Sequence, residues 1–94
     1  MTHYDAGLGA CGWETDGSTE NVVALSHIMM GTQSNGNPYC GKTITVKLNG
    51  KSITAKVVDK CMGCAMYAID LSNVAFSSLA DMGVGRTQVE WFFN

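Results

Sequence analysis

The segment from residue 43 to residue 58 most narrowly constrains what this chain can fold into. Polar and apolar residues alternate over 43–48 and again over 51–58, which is the period of a half-buried β-strand. Asn49-Gly50 separates the two stretches and supplies the two positive-φ residues that a type I′ turn requires. The segment therefore predicts a β-hairpin.

Shorter patterns predict the remaining elements. Strands are expected over 2–5, 22–25 and 87–93, and a loop over 31–38. Ser26 is predicted to cap one helical turn that ends at Met30. A helix is predicted from Asn73 to Met82, with Ser72 as its N-cap and Gly83 as its stop. Several short strands with one or two short helices indicate a mainly β fold, such as a small barrel or sandwich.

Length and charge narrow the possible functions. A chain of 94 residues fits one domain, which we expect to span 1–94 and to be monomeric. With 46% hydrophobic and 15% charged residues, the composition argues against a disordered chain. Six basic residues are outnumbered by eight acidic ones, which argues against nucleic-acid binding. Since no apolar run approaches the roughly 20 residues of a membrane span, no membrane partner is predicted.

Four cysteines in so short a chain favour disulfides. Three pairings are possible, and we prefer Cys11–Cys40 with Cys61–Cys64. The C-x-x-C spacing of the second pair is also that of a redox pair or of half a zinc site. Structural disulfides remain the favoured interpretation, with no metal and no cofactor.

A glycine-rich string, Gly7-Leu8-Gly9-Ala10-Cys11-Gly12, superficially resembles a phosphate-binding loop. It lacks the Lys-Ser/Thr ending, and no helical pattern follows it. We therefore predict a turn rather than a phosphate site.

The motifs together resemble a known family. They are Tyr4, the string 7–12, Val23-Ala24-Leu25-Ser26, Asn37-Pro38-Tyr39-Cys40-Gly41-Lys42, Val57-Val58-Asp59-Lys60-Cys61-Met62-Gly63-Cys64, Asp70-Leu71-Ser72, Ala75-Phe76-Ser77, Leu79-Ala80 and Gly85-Arg86. In this order they resemble loosenins, which are fungal single-domain expansin-like proteins, and the resemblance runs from Thr2 to Phe93. Loosenins are grouped with expansins and barwin-like proteins as rare lipoprotein A-like barrels.

The resemblance implies a six-stranded double-psi β-barrel with a polysaccharide groove across one face. It also implies a secreted protein that loosens walls containing cellulose or chitin without appreciable hydrolysis. The sequence opens without the charged and apolar leader of a secreted protein. We therefore expect that Met1 stands where a leader has been removed.

The resemblance also assigns candidate catalytic residues. Asp70 stands where related endoglucanases carry their general acid, and Asp59 stands where expansin-like barrels carry a Thr-Asp or Val-Asp pair before the turn. The segment from Thr2 to Asp5 loosely resembles the one that carries the catalytic base in the glucanases. Ala68-Ile69 replaces the His-Phe that precedes the aspartate in expansins.

The chemistry of the residues leads to the same candidates. Hydrolysis of a glycosidic bond requires two carboxyl groups that face one bond. Asp59 and Asp70 could converge, because a barrel brings distant strand ends together, although turn or cap stabilisation would also explain each of them. Sugar rings stack on exposed aromatic rings, and the candidate platforms are Tyr4, Trp13, Tyr39 and Tyr67.

Three functions remain open at this point. We favour a non-hydrolytic binder of insoluble polysaccharide, either cellulose or chitin, with Thr2 and Asp5 beside the four aromatic residues in the substrate site. The second possibility is a protein-binding module, either an inhibitor of papain-like cysteine proteases or a secreted effector. The third is a glycan-cleaving enzyme, either endoglucanase-like or lytic transglycosylase-like.

Overall fold

A six-stranded sheet dominates the computed structural model, which describes residues 1–31 and 37–94. The strands are β1 (Thr2–Tyr4), β2 (Val22–Ser26), β3 (Thr43–Leu48), β4 (Lys51–Cys61), β5 (Ile69–Ser72) and β6 (Glu90–Phe93). Their order is β1-β5-β2-β4-β3-β6, and β1 and β2 run parallel to β5 and β4, respectively. The predicted mainly β architecture is confirmed. Strand pairing leaves the sheet open, but Thr87 N donates to Met1 O (3.1 Å) and so links the segments before β6 and β1.

The predicted hairpin is confirmed as β3 and β4, which pair from Thr43↔Lys56 to Leu48↔Lys51. Asn49 and Gly50 adopt φ angles of 51° and 81°, as the turn requires. β4 continues past the predicted end at residue 58 and reaches Cys61. The extension follows from tertiary pairing, because the second half of β4 lies parallel to β2.

The hydrophobic core lies on one side of the central strands. Val23 and Leu25 of β2 and Leu71 of β5 are fully buried there. Helix α2 (Asn73–Leu79) contributes Phe76, whose ring lies 4.8 Å from that of His3. α2 therefore packs against β1 and β5 on the core side of the sheet. The side chains of β2 and β5 that alternate with these core residues project to the other face of the sheet.

The two helices differ in how well the sequence predicts their ends. Ser26 caps α1 (His27–Met30), as expected, since its Oγ accepts from Ile28 N (3.1 Å). The predicted end of α2 at Met82 is wrong, because the backbone is already extended at Ala80 (φ −150°, ψ 162°). A separate 3-10 turn then spans Met82–Val84, so Gly83 lies within a turn and does not stop the helix.

Two further expectations needed correction. Ser72 occupies the N-cap position of α2, but its hydroxyl accepts from Val22 N (3.1 Å) and donates to Glu20 O (2.7 Å). Its side chain therefore holds the start of β2 and does not cap α2. β6 begins at Glu90 and not at Thr87, because Thr87 bonds to Met1.

Of the predicted loop over 31–38, residues 32–36 lie outside the described part of the chain.

Two disulfides join Cys11 to Cys40 and Cys61 to Cys64, which is one of the three pairings that the sequence leaves open. Cys11 is only 8% exposed, whereas both members of the second bridge are partly exposed. The first bridge spans a sequence separation of 29 and the second a separation of 3. Loop-closure entropy therefore makes the first bridge the larger contributor to stability.

Candidate functional site

Asp59 and Asp70 lie on either side of Ala24 in the centre of the sheet. Ala24 pairs with Asp59 of β4 in parallel register and with Asp70 of β5 in antiparallel register. Directly paired residues project to the same face, which here is the face opposite the core. Two strand spacings put the Cα atoms of the aspartates about 10 Å apart. We call this region, with Thr2 and Tyr4 of the neighbouring strand β1, the aspartate face.

The glycine-rich string is what holds Asp59. Asp59 Oδ1 accepts from Ala10 N (2.7 Å) and from Lys60 N (2.8 Å). The string approaches β4 so closely that a Cβ on Gly9 would overlap Val58 O and would lie 3.0 Å from Asp59 Cγ. Glycine is therefore required at this position for close approach, and the two N–H donors fix the orientation of the carboxylate.

Asp70 is held differently, by a side chain. Thr2 Oγ1 donates to Asp70 Oδ1 (2.8 Å), and the two residues are paired in the β1–β5 ladder. Partial burial raises the pKa of Asp70 above its ordinary value of 3.8, and the negative charge of Asp59 acts in the same direction. The Thr2 hydrogen bond and the positive charge of His3 partly offset these effects.

Tyr4 brings a buried hydroxyl to the same region. Burial, together with the charges of Asp59 and Asp70, raises the pKa of Tyr4 well above its ordinary value of 10.0. The hydroxyl group has no hydrogen-bond partner among the residues that the structure describes. Tyr4 is thus a neutral phenol among carboxylates, and its polar tip is enclosed rather than offered as an exposed platform.

Asp5 lies apart from this pair of carboxylates. It is exposed just beyond the end of β1, and its Oδ1 accepts from Asn73 Nδ2 (2.7 Å) at the start of α2. A small surface depression there is also lined by Asp16, Gly17 and Ser18. The fold therefore brings Asp59 and Asp70 together, while Asp5 belongs to a different part of the surface.

Trp13 lies on the loop that reaches the aspartate face. Its carbonyl accepts from Gly9 N (3.2 Å), and its side chain is 42% exposed. The Lys56 ammonium lies 4.5 Å from the centre of the indole ring, and a Cβ on Gly41 would lie 3.4 Å from Cη2 of the same ring. The fold thus holds a large, partly exposed ring on the loop whose Ala10 N–H binds Asp59.

The other aromatic candidates, Tyr39 and Tyr67, lie against β6. The Tyr39 and Phe93 rings are 5.7 Å apart, the Trp91 and Phe93 rings are 5.3 Å apart, and Trp91 Nε1 donates to Tyr67 O (2.8 Å). Tyr67 is 73% exposed. We call these four residues the β6 aromatic surface; an open cavity of about 450 Å³ beside it is lined by Met29, Tyr67 and residues 89–93.

Sequence reasoning missed two parts of this arrangement. It did not assign Ala10 N to Asp59, although the string of small residues that makes close approach possible was visible. It also did not foresee the β6 aromatic surface, for which the alternation of Trp91 and Phe93 on one side of a strand is the available signal.

The described ranges, 1–31 and 37–94, contain no group of three or more His, Cys, Asp or Glu side chains arranged to hold a metal ion. Within the same ranges, none of the helices has the length and apolar character needed to cross a membrane.

Known proteins resemble this chain along nearly its whole length. Allergen Asp f 7 homolog from Arthroderma benhamiae is 43% identical over 107 residues, which cover 99% of this chain and 37% of the relative. Papain inhibitor from Streptomyces mobaraensis is 39% identical over 99% of this chain and 68% of its own length. The chain spans only about a third of the fungal relatives, 37% and 35% of the two allergens.

Solved structures share the fold. The structure of Streptomyces papain inhibitor superposes with a TM-score of 0.91 at 39% identity, covering 99% of this chain and 88% of that one. Apo-expansin from Clavibacter michiganensis superposes with a TM-score of 0.83 at 25% identity, covering 99% of this chain and 47% of that one. These neighbours confirm the double-psi β-barrel expected from the sequence. A double-psi β-barrel family model, described as lytic transglycolase, matches residues 25–91. The chain therefore belongs to the double-psi β-barrel family that contains the expansin-like proteins.

Proposed function

We propose that this protein is secreted and binds insoluble cell-wall polysaccharide, cellulose or chitin, on the aspartate face, loosening the polymer without cleaving it. The observation that carries the proposal is the pairing of Asp59 and Asp70 with Ala24 on one face of the central strands. Both carboxylates are oriented by protein donors. Two disulfides in 94 residues fit an oxidising, extracellular compartment.

The binding chemistry follows from the arrangement of the residues. Carboxylate oxygens accept hydrogen bonds from sugar hydroxyls, and such charge-assisted bonds are stronger than neutral ones. Each aspartate already receives protein hydrogen bonds on Oδ1, from Ala10 and Lys60 or from Thr2. The remaining acceptor capacity is available to a glycan, while the exposed part of Trp13 supplies an apolar surface for a pyranose ring.

A non-hydrolytic role is favoured by the position of the third carboxylate. Asp5, which with Asp59 is one of the two sequence candidates for a catalytic base, is exposed and bonded to Asn73 at the start of α2. Loosening needs only the exchange of glucan–glucan contacts for protein–glucan contacts, for which a monomer with a shallow face is sufficient. An expansin variant from Clavibacter michiganensis was solved in complex with cellohexaose, but at 24% identity it supports the fold alone.

A second candidate function is inhibition of papain-like cysteine proteases. It is favoured by the 39% identity to the papain inhibitor over 99% of this chain. The β6 aromatic surface suits such a partner, because aromatic side chains are enriched where proteins bind one another. This surface is separate from the aspartate face, so the two functions make different mutational predictions.

The deciding experiment measures the mechanical strength of cellulose and chitin sheets and counts soluble sugar in the same tube. Native protein should weaken at least one polymer without sugar release, and Asp70→Asn should not. Asp81→Asn is the matched control, since Asp81 is an exposed aspartate whose Oδ1 accepts from Gly83 N at the 3-10 turn. Sugar release would identify a glycan-cleaving enzyme instead, and no weakening together with tight papain inhibition would establish the second candidate.

A further inference from the structure

The disulfide between Cys61 and Cys64 has surroundings that a purely structural bridge does not need. Both cysteines are partly exposed, and Met62 between them is 71% exposed. In the Cys11–Cys40 bridge, Cys11 is 8% exposed and belongs to the core, while Cys40 is partly exposed and packs against the core. A thiolate from solvent can therefore reach either sulfur of the second bridge, whereas in the first bridge Cys11 is shielded and only Cys40 can be approached.

A cavity adjoins this bridge. It has a volume of about 420 Å³, and Cys64 lines it together with Gly63, Ala65 and Ala68 on one side. The cavity is also lined by Met1, which carries the N-terminal amino group, by Thr2 and by residues 86–88, among which Arg86 contributes a cationic side chain. Arg86 is the one charged side chain among the described lining residues. A small molecule that reaches Cys64 through this cavity therefore meets positive charge in the cavity lining.

We propose that Cys61–Cys64 is a thiol-exchange site for small thiols that carry carboxylates. In the first step a thiolate attacks Cys64 Sγ, so that a mixed disulfide forms and the Cys61 thiolate leaves and takes a proton from solvent. A second molecule of the thiol then attacks the mixed disulfide and releases Cys64. Two thiols are thereby oxidised to one external disulfide, and the protein disulfide is reduced to two thiols. An excess of the external disulfide reverses both steps.

The fold tolerates this reaction because little else depends on the bridge. The two cysteines are separated by only 3 positions in the sequence, so the bridge removes little entropy from the unfolded chain. Ser26 Oγ donates to Cys64 O (3.0 Å) and β4 pairs with β2 as far as Cys61, and neither interaction uses the sulfur atoms of the bridge. The protein should therefore stay folded in the reduced state.

Timed alkylation and mass spectrometry test the proposal, with glutathione as the probe. We expect Cys61 and Cys64 to be alkylated at least tenfold faster than Cys11 and Cys40, while the circular dichroism spectrum keeps its native form. Equal rates for the two bridges, or loss of the native spectrum on reduction of the second, would overturn the proposal.

The role of the cation is tested by the charge of the thiol. Arg86→Gln should slow reduction by glutathione about threefold and should slow reduction by 2-mercaptoethanol, whose thiolate carries no carboxylate, clearly less. Lys51→Gln is the matched control, because Lys51 is an exposed cation at the tip of the hairpin. An equal effect of Arg86→Gln on both thiols would contradict selection for carboxylate-bearing thiols, as would an effect of Lys51→Gln as large as that of Arg86→Gln.

Discussion

The aspartate face and the β6 aromatic surface differ in how tightly their functional groups are held. On the aspartate face, each carboxylate receives a hydrogen bond of 2.7 to 2.8 Å from protein donors. On the β6 aromatic surface, the aromatic side chains are held by ring contacts and by the hydrogen bond from Trp91 Nε1 to Tyr67 O, and Tyr67 remains 73% exposed. Fixed acceptors suit the regular hydroxyl array of a polysaccharide, whereas exposed rings that can adapt suit a protein partner.

The largest expected effect comes from the bridge that joins the two regions. Cys11 follows Ala10, whose N–H binds Asp59 of the aspartate face, and Cys40 follows Tyr39 of the β6 aromatic surface. Replacing Cys11 and Cys40 with Ala should lower the free energy of unfolding by about 3–4 kcal/mol, because a loop of about 30 residues is released. The corresponding Cys61 and Cys64 double variant should lose only about 2 kcal/mol. Urea denaturation measures both, and equal losses would refute the entropic explanation.

A smaller loss of stability is expected from Gly9→Ala, which should disturb the aspartate face and leave the β6 aromatic surface intact. Gly9→Ala places a methyl group against Val58 O, so it should cost about 1–3 kcal/mol of stability and displace Ala10 from Asp59. Polysaccharide binding should weaken, whereas papain inhibition, if present, should persist. Gly7→Ala is the control, since a Cβ at Gly7 meets nothing within 4 Å. If Gly9→Ala were as harmless as Gly7→Ala in sedimentation assays and urea denaturation, the string would not position Asp59.

Trp13 allows a sharper comparison, because Phe92 has a similar environment. Both rings are exposed beneath a lysine, with Lys56 at 4.5 Å from Trp13 and Lys47 at 5.5 Å from Phe92. Trp13→Ala should weaken binding to cellulose or chitin about three- to tenfold, since a stacking ring beside the aspartate face is lost. Phe92→Ala should leave the affinity unchanged. Equal losses in a binding isotherm would mean that any exposed ring contributes.

The smallest expected effect is that of Tyr4→Phe on the melting temperature. The buried hydroxyl of Tyr4 has no partner among the described residues, so removing it should not cost a hydrogen bond. Tyr4→Phe should leave the melting temperature unchanged or raise it by a few degrees. A fall in the melting temperature would mean that the hydroxyl is bonded in solution and helps to order the aspartate face.

Local signals in the sequence predicted local structure well. The hairpin followed from alternation around Asn49-Gly50, and the cap of α1 followed from Ser26. Non-local pairing explains two of the failures: the end of β4 depends on β2, and Thr87 is bound by Met1 rather than by a neighbouring strand. The early end of α2 is a failure of a local signal, because Gly83 lies in a separate turn and does not stop the helix. Both aspartates could be proposed as site residues, but that they flank Ala24 depends on strand register, which no local pattern specifies.

The central claim is that Asp70 serves binding at the expense of stability. Its pKa is raised in the folded protein, so the folded state holds its proton more tightly than the unfolded state does. The stability contributed by Asp70 therefore falls as the pH rises from the ordinary aspartate pKa of 3.8 through the folded value. Asn removes this charge and keeps an oxygen that can accept from Thr2.

One experiment on Asp70→Asn tests this claim most directly. Thermal unfolding is followed between pH 3 and pH 7, and binding to cellulose and chitin is measured on the same samples. We predict a melting temperature above that of the native protein at pH 7, a difference that shrinks below about pH 4, and at least a tenfold loss of binding. Unchanged binding, or a lower melting temperature at pH 7, would show that Asp70 is a structural residue and would contradict the proposed polysaccharide site.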